Sequence, residues 1–369
     1  MIVPISRIPI LSAVLALTWT PALQSQTTAT TDPVGFITLN VAAPESGATT
    51  FSFRSLGLTQ EIAYQGSAER VGNVAGTTRD SVTDNEATWT ANQFNPVGAT
   101  AGTATHYVEI VRPTGSQNAA PGEGTTYDIL ATDAASKTIT LAQNLATGVT
   151  QGAIFKVRKH WTIASVFGAN NTAGLTGGTA ETADLILVQS GQSNTYSTYF
   201  YQIGGEGTGW RLTTASGADA SGKVLYPDEG LIIKKSQGST AAIVLVGGVK
   251  MGVSSVPVLP GKNLLGNVFA APMTLASSNI YTGNSSTGLA AGSAASADQV
   301  LIYNGAGYDI YYFETPNFLN PSGGWKNAAN PAQTGDIGQV VVPVGTGIIV
   351  KRNGAAGFDW KVPQHPAVL

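Results

Sequence analysis

From Ala183 the chain reads A-D-L-I-L-V, then Y-S-T-Y-F-Y from Tyr196 to Tyr201, G-W-R from Gly209 to Arg211, and P-D-E-G-L-I-I-K-K from Pro227 to Lys235. The same order returns from Ala297: A-D-Q-V-L-I, then Y-D-I-Y-Y-F from Tyr308 to Phe313, G-W-K from Gly324 to Lys326, and P-V-G-T-G-I-I-V-K-R from Pro343 to Arg352. Spacing drifts only where Gly, Ser or Asn is dense, which is how loops between strands absorb length changes. The pattern reads as a duplicated β unit. Each copy begins near an aromatic position, Val166-Phe167 or Val268-Phe269, and a seam lies between Gly247 and Gly261. The apolar run Val253 to Leu259 in that seam reads as a strand or tight connection and not as a linker.

Upstream, Ile37, Leu39 and Val41 alternate with Thr38 and Asn40, the period of a strand with one buried face. Short β-branched or aromatic runs follow at Tyr107 to Val111, Thr126 to Ala131, Thr138 to Leu141 and Ala153 to Arg158, divided by Gly, Asn, Asp or Pro turns. No run of helical period longer than two turns occurs past residue 30. The fold class expected is therefore all-β: a small β sandwich or barrel over 32–160, then a duplicated β-sandwich-like region with copies over 161–252 and 253–365. Strands are expected at Ile37 to Val41, Ile139 to Leu141, Phe155 to Arg158, Leu185 to Val188, Leu231 to Lys234, Val300 to Tyr303 and Ile348 to Lys351.

Composition narrows the function classes. Charged residues make up 11% of the 369, against roughly 25% in an ordinary soluble protein, so the surface is neutral and hydroxyl-rich. A net charge of -3 without a basic run excludes nucleic acid as a partner, which needs clustered Lys and Arg, and there is no polybasic membrane patch. No cysteine is present, which removes disulfides, thiol nucleophiles and thiolate metal sites. The three histidines, His106, His160 and His365, form no H-x-x-x-H or H-x-H pair. No cofactor and no metal are expected.

Arg7 precedes the apolar run Ile8 to Leu17, and polar residues continue to Thr31, the layout of a secretory signal peptide. The run is too short to span a bilayer. A signal segment over 1–25 with cleavage between residues 22 and 30 is expected, and after it a protein without membrane insertion, secreted or at the cell surface, with the periplasm as the alternative.

The opening T-D-P-V-G-F at 31–36, the segment G-A-I-F-K-V-R-K-H-W at 152–161, and the repeated Y-x-x-Y, G-W and G-x-I-x-K scheme together resemble an uncharacterised family of exported proteins known mainly from Verrucomicrobia. The resemblance covers nearly the whole mature chain. It implies a bacterial exported protein, and it implies no activity for any residue.

Candidate chemistry is sparse. Trp210 and Trp325, with Tyr199 and Tyr311 upstream, are candidate ligand-binding platforms for sugar rings, although large aromatics equally anchor a sheet core. Asp184 and Asp298 open the repeated strand. As catalytic carboxylates they would need a second acid at glycosidase spacing, yet Asp228 and Glu229 of the first copy become Val344 and Gly345 in the second. A strand-opening Asp more often accepts backbone hydrogen bonds. Lys234 and Lys351 read as edge lysines that deter sheet-to-sheet pairing. Asp80, Asp84 and Glu86 are the densest acidic cluster but lack the spacing of a calcium loop. The glycine-rich stretch from Ile203 to Gly209 lacks a G-K-[ST] ending, and no G-x-S-x-G elbow occurs. No catalytic residue is assigned. The expected function is that of an exported non-catalytic structural or adhesive protein, with self-association or polysaccharide as partner. The alternatives are a carbohydrate-binding protein using the repeated Trp and Tyr, and a hydrolase with two carboxylates converging in a cleft.

Overall fold

The computed structural model describes residues 32–45, 47–190, 195–205, 207–318, 321, 323–330 and 332–363. The expected signal segment and its cleavage window lie outside them. Residues from 31 onward form one compact unit. It is nearly all β, as expected, and every strand named above is present. Among the described residues the one helix is Ile163–Phe167, capped by Thr162 and Ser165.

Each copy is a sheet faced by a two-stranded ribbon. In the first copy the sheet runs Ala215–Asp219, Gly209–Leu212, Tyr196–Gln202, Leu185–Gln189, Gly230–Lys235, Thr50–Ser55, all antiparallel. Its ribbon pairs Val34–Val41 with Ala241–Gly248. In the second copy the sheet runs Gly324–Asn327, Tyr308–Glu314, Gln299–Tyr303, Gly347–Arg352, Gly261–Gly266, and its ribbon pairs Ser254–Val258 with Phe358–Val362. The inward residues of each ribbon close a core against the sheet. Ile37, Leu39, Ile243 and Leu245 meet Ile186, Tyr199, Trp210 and Ile233 in the first copy. Val256, Val258, Phe358 and Trp360 meet Val300, Tyr311, Trp325 and Val350 in the second.

These pairings move the domain boundary. The strands Val34–Val41 and Thr50–Ser55, expected to belong to a separate unit over 32–160, are the first two strands of copy 1. What lies between copy 1's second strand and Trp161 is an insertion. Period-2 alternation identified the strand at 37–41 but carries no information about its partner two hundred residues away. The seam strand Ser254–Val258 is likewise the first strand of copy 2.

The insertion is a small barrel. Its sheet passes from Ile62–Ser67 through Ile154–Lys159, His106–Val111, Thr126–Asp133, Thr138–Leu141 and Ser81–Thr83 to Arg70–Val71. The two ends of that order are consecutive in the chain: Ile62–Ser67 pairs with Ile154–Lys159 and Arg70–Val71 pairs with Ser81–Thr83, so the stretch 62–71 joins both ends and rolls the sheet into a barrel. Val82, Phe94, Val108, Ile129, Ile139, Phe155 and Val157 fill it.

The two copies meet sheet to sheet through matching positions: Phe53, Leu187 and Ile232 of the first and Leu264, Leu301 and Ile349 of the second lie in one cluster. Here the glycine of the G-x-I-x-K motif has a steric reason. A Cβ on Gly230 would lie 2.8 Å from the Leu265 carbonyl oxygen, and one on Gly347 would lie 2.8 Å from that of Arg54. The lysines that end this motif are not at an edge. Lys234 and Lys351 sit on strands with neighbours on both sides, so the expected role in deterring edge pairing does not apply.

Buried charge joins the pieces. Lys156 Nζ lies 2.7 Å from Asp32, and Arg158 bridges Asp32 and Glu109, its Nε 2.9 Å from the Glu109 carboxylate. Lys250, within the seam, also pairs with Glu109. Burial alone would raise the Glu109 carboxyl, but Lys250 and Arg158 hold it at about 2.

Candidate functional site

Where the insertion, the first copy and the ribbon of the second copy come together there is a cleft of about 540 Å³. The barrel contributes Tyr127, Asp128 and Asn144; copy 1 contributes Tyr226, Asp228 and Glu229; copy 2 contributes Ser255, Pro257 and Asp359. Such junctions are where small-molecule sites commonly form. Gly124 sets the approach of the walls: its φ of +78° lies in the left-handed region, a Cβ there would lie 2.4 Å from the Val253 carbonyl oxygen, and its own carbonyl accepts the Ser255 amide at 3.1 Å.

Asp128 is buried and fully engaged. Tyr226 Oη donates to it at 2.7 Å, the Gly102 amide donates at 2.9 Å, and His160 Nε2 lies 2.9 Å away. Burial alone would raise this carboxyl, but the hydrogen bonds from His160, Gly102 and Tyr226 hold it below its ordinary value. Glu229 sits in the turn that starts at Tyr226 and reaches back toward the Tyr226 amide, 3.4 Å away. Burial and then the neighbouring Asp228 charge push Glu229 up to about 7, and burial raises Asp228 as well. Among the carboxyl groups of the cleft, Asp128 is thus kept ionised while Asp228 and Glu229 are biased toward the neutral form. That separation is what acid–base chemistry requires.

The Glu229 shift has a sign that can be measured. Its folded value lies above its ordinary 4.5, so its contribution to stability is complete below about 4.5 and is lost as pH rises through about 7. Glu229→Gln is therefore expected to flatten the fall in stability between about pH 5 and about pH 8, read by urea unfolding at both ends. An unchanged slope would mean that Glu229 is solvated.

The residues singled out from the sequence lie elsewhere. Trp210 and Trp325 are 1% and 2% exposed, and Tyr199 and Tyr311 are buried beside them. Trp210 Nε1 donates to the Gly168 carbonyl at 2.8 Å, and its ring meets Phe167 and Tyr201. Trp325 packs edge-on to Phe313. No face of these rings reaches a ligand, so the platform role is corrected to that of core anchors.

Asp184 and Asp298 are also interior. Each accepts a backbone amide eight residues upstream at 2.7 Å, from Thr176 and from Ala290, and each pairs with the last cation of its copy's motif, Lys235 or Arg352. A longer repeat precedes them, G-T-A-E-T-A-D at 178–184 and G-S-A-A-S-A-D at 292–298. Its Thr179 and Ser293 carbonyls accept equivalent amides from Ala183 and Ala297.

Asp80, Asp84 and Glu86 do not converge on one point as ligands. Asp84 accepts from Tyr64 Oη at 2.6 Å and from the Glu86 amide, and Asp80 accepts from Thr78. Among the described residues no group of three or more His, Asp or Glu is placed to hold a metal ion.

The cleft carboxylates had escaped the sequence reading for a definite reason. Asp228 and Glu229 were set aside because the second copy lacks them, and strand pairing now matches them to Gly345 and Thr346: the Asp228 and Gly345 carbonyls accept the Gly266 and Ser55 amides alike. The repeat records shared structure, whereas the cleft exists only where the insertion meets the frame. A pair of acids present in one copy alone, in a chain so poor in charge, was the available signal. No family model, curated protein or solved structure matches the chain.

Proposed function

We propose that this is an exported, non-catalytic structural or adhesive protein of the bacterial cell surface or extracellular matrix. One observation carries the reading: the aromatic, acidic and glycine positions that the two copies keep in common are used inside the fold, in cores, buried ion pairs and the contact between copies. Duplication has preserved the interior of the body and left a sparsely charged, hydroxyl-rich exterior. The apolar run at 8–17 and the resemblance to exported Verrucomicrobial proteins supply the export part of the reading. Antibody labelling of intact cells tests it, together with the N-terminal sequence of the isolated protein and a strain lacking the gene. The expected results are labelling without permeabilisation, a first residue between 23 and 30, and weakened attachment or matrix cohesion in the deletion strain. Recovery of the uncleaved chain from the cytoplasm alone would sink it.

A second reading, a glycan hydrolase, is favoured by the cleft, where Asp128 and Glu229 are driven to opposite protonation preferences. Turnover of a neutral polysaccharide, lost in both Asp128→Asn and Glu229→Gln with the fold intact, would put this reading first. The carbohydrate-binding alternative through Trp210 and Trp325 has lost the exposed rings it required.

A further inference from the structure

The two ribbons are equivalent, and their outward faces differ. The inward pairs Ile37 with Leu245 and Leu39 with Ile243 match Val256 with Trp360 and Val258 with Phe358. The outward positions Phe36, Thr38, Val244 and Val246 therefore correspond to Ser255, Pro257, Asp359 and Lys361. A ribbon with one buried face should alternate apolar inside with polar outside. Copy 2 largely obeys, and three of its four outward residues wall the cleft beneath the insertion. Copy 1 does the reverse: Val34, Phe36, Val244 and Val246 are 70%, 74%, 59% and 62% exposed. Phe36 lies directly opposite Val246, with Val34 and Val244 flanking them, so the four are contiguous. Isolated exposed valines are ordinary, but a contiguous patch of a few hundred Å² commonly marks an interaction site.

We propose that this face docks a second copy of the chain, ribbon against ribbon, in a symmetric dimer. Three features select a second copy over other partners. The outward row, completed by Thr38, Asn40 and Ala242, carries no charge, so a charged polymer or peptide would leave its own charges desolvated and unpaired there. A copy turned by half a revolution presents the same uncharged apolar side chains back to the patch, so the face is self-complementary as an isologous contact requires. The chain already buries uncharged sheet surface in this way, since the matching residues Phe53 and Leu264, Ile232 and Ile349, and Leu187 and Leu301 share one cluster between the copies. Four apolar side chains are a small centre beside the roughly 20–30 residues that each partner gives to a standard interface, so association belongs to high concentration. The proposal stands whether or not the protein is exported.

Sedimentation velocity on the chain as processed by an expressing host, from low micromolar to near millimolar, tests it. Phe36→Thr combined with Val246→Thr keeps β-branched residues on the ribbon, and Val341→Thr alters an exposed valine elsewhere. The expected result is a concentration-dependent dimer whose midpoint moves at least about tenfold in the double variant and not in the control, with circular dichroism unchanged. A wild-type chain that stays monomeric throughout overturns the proposal. So does a dimer indifferent to the double substitution, or binding of the face to phosphatidylcholine vesicles without self-association.

Discussion

Lys235→Met lowers the unfolding free energy by about 3–5 kcal/mol in a urea titration, because it strands a buried carboxylate. The Asp184 side chain is fully buried; its Oδ2 receives the Thr176 amide and Lys235 Nζ, and its Oδ1 has no hydrogen-bond partner among the described residues. Methionine preserves the stem of the lysine, so the loss reports charge and not packing. Restoring neutrality with Asp184→Leu in the same chain should recover much of it, since replacing both members of a buried pair is often nearly neutral. A single-variant loss under about 1 kcal/mol would mean that water reaches Asp184.

Trp210→Ala has a comparable expected cost of about 3–5 kcal/mol, from lost burial and the cavity left behind. The indole fills the space between Phe167 and Tyr201, and its removal also takes away one of the two donors to the Gly168 carbonyl, which keeps only the Asn171 amide at 3.0 Å. Trp210→Phe weighs the two contributions by keeping most of the volume while losing the hydrogen bond. Thermal melting of both variants beside Trp325→Ala reads the effect. A Trp210→Ala protein with an unchanged melting temperature would return the ring to the surface and reopen the sugar-platform role.

The strands were legible because alternation over a few residues is a local property. Their partners were not. The first two strands of copy 1 are separated from the rest of that copy by the whole insertion, so the contiguous part of its repeat starts at Trp161, while in copy 2 the corresponding strands follow one another without interruption. The two segments that carried the family resemblance turn out to touch: Asp32 of the T-D-P-V-G-F opening pairs with Lys156 and Arg158 of the K-V-R-K-H-W segment. Those motifs are joints, which explains why they suggested no chemistry. Burial of Trp210 could not be read from sequence, because an amphipathic ring between Gly and Arg suits a core and a surface equally. The cleft was hidden for a third reason: Asp128 and Tyr226 are 98 residues apart and belong to different parts of the fold.

The barrel enters and leaves the frame at neighbouring points, since Ile62 at its start pairs with Arg158 at its end. It is thus a cassette carried on a hairpin-like stem, and the frame closes around it without needing its length. In copy 2 the same connection is the short segment 267–272 between Gly266 and Met273. That short loop joins the same two positions of the frame with no barrel between them, so the pairing of the frame strands does not depend on the insertion.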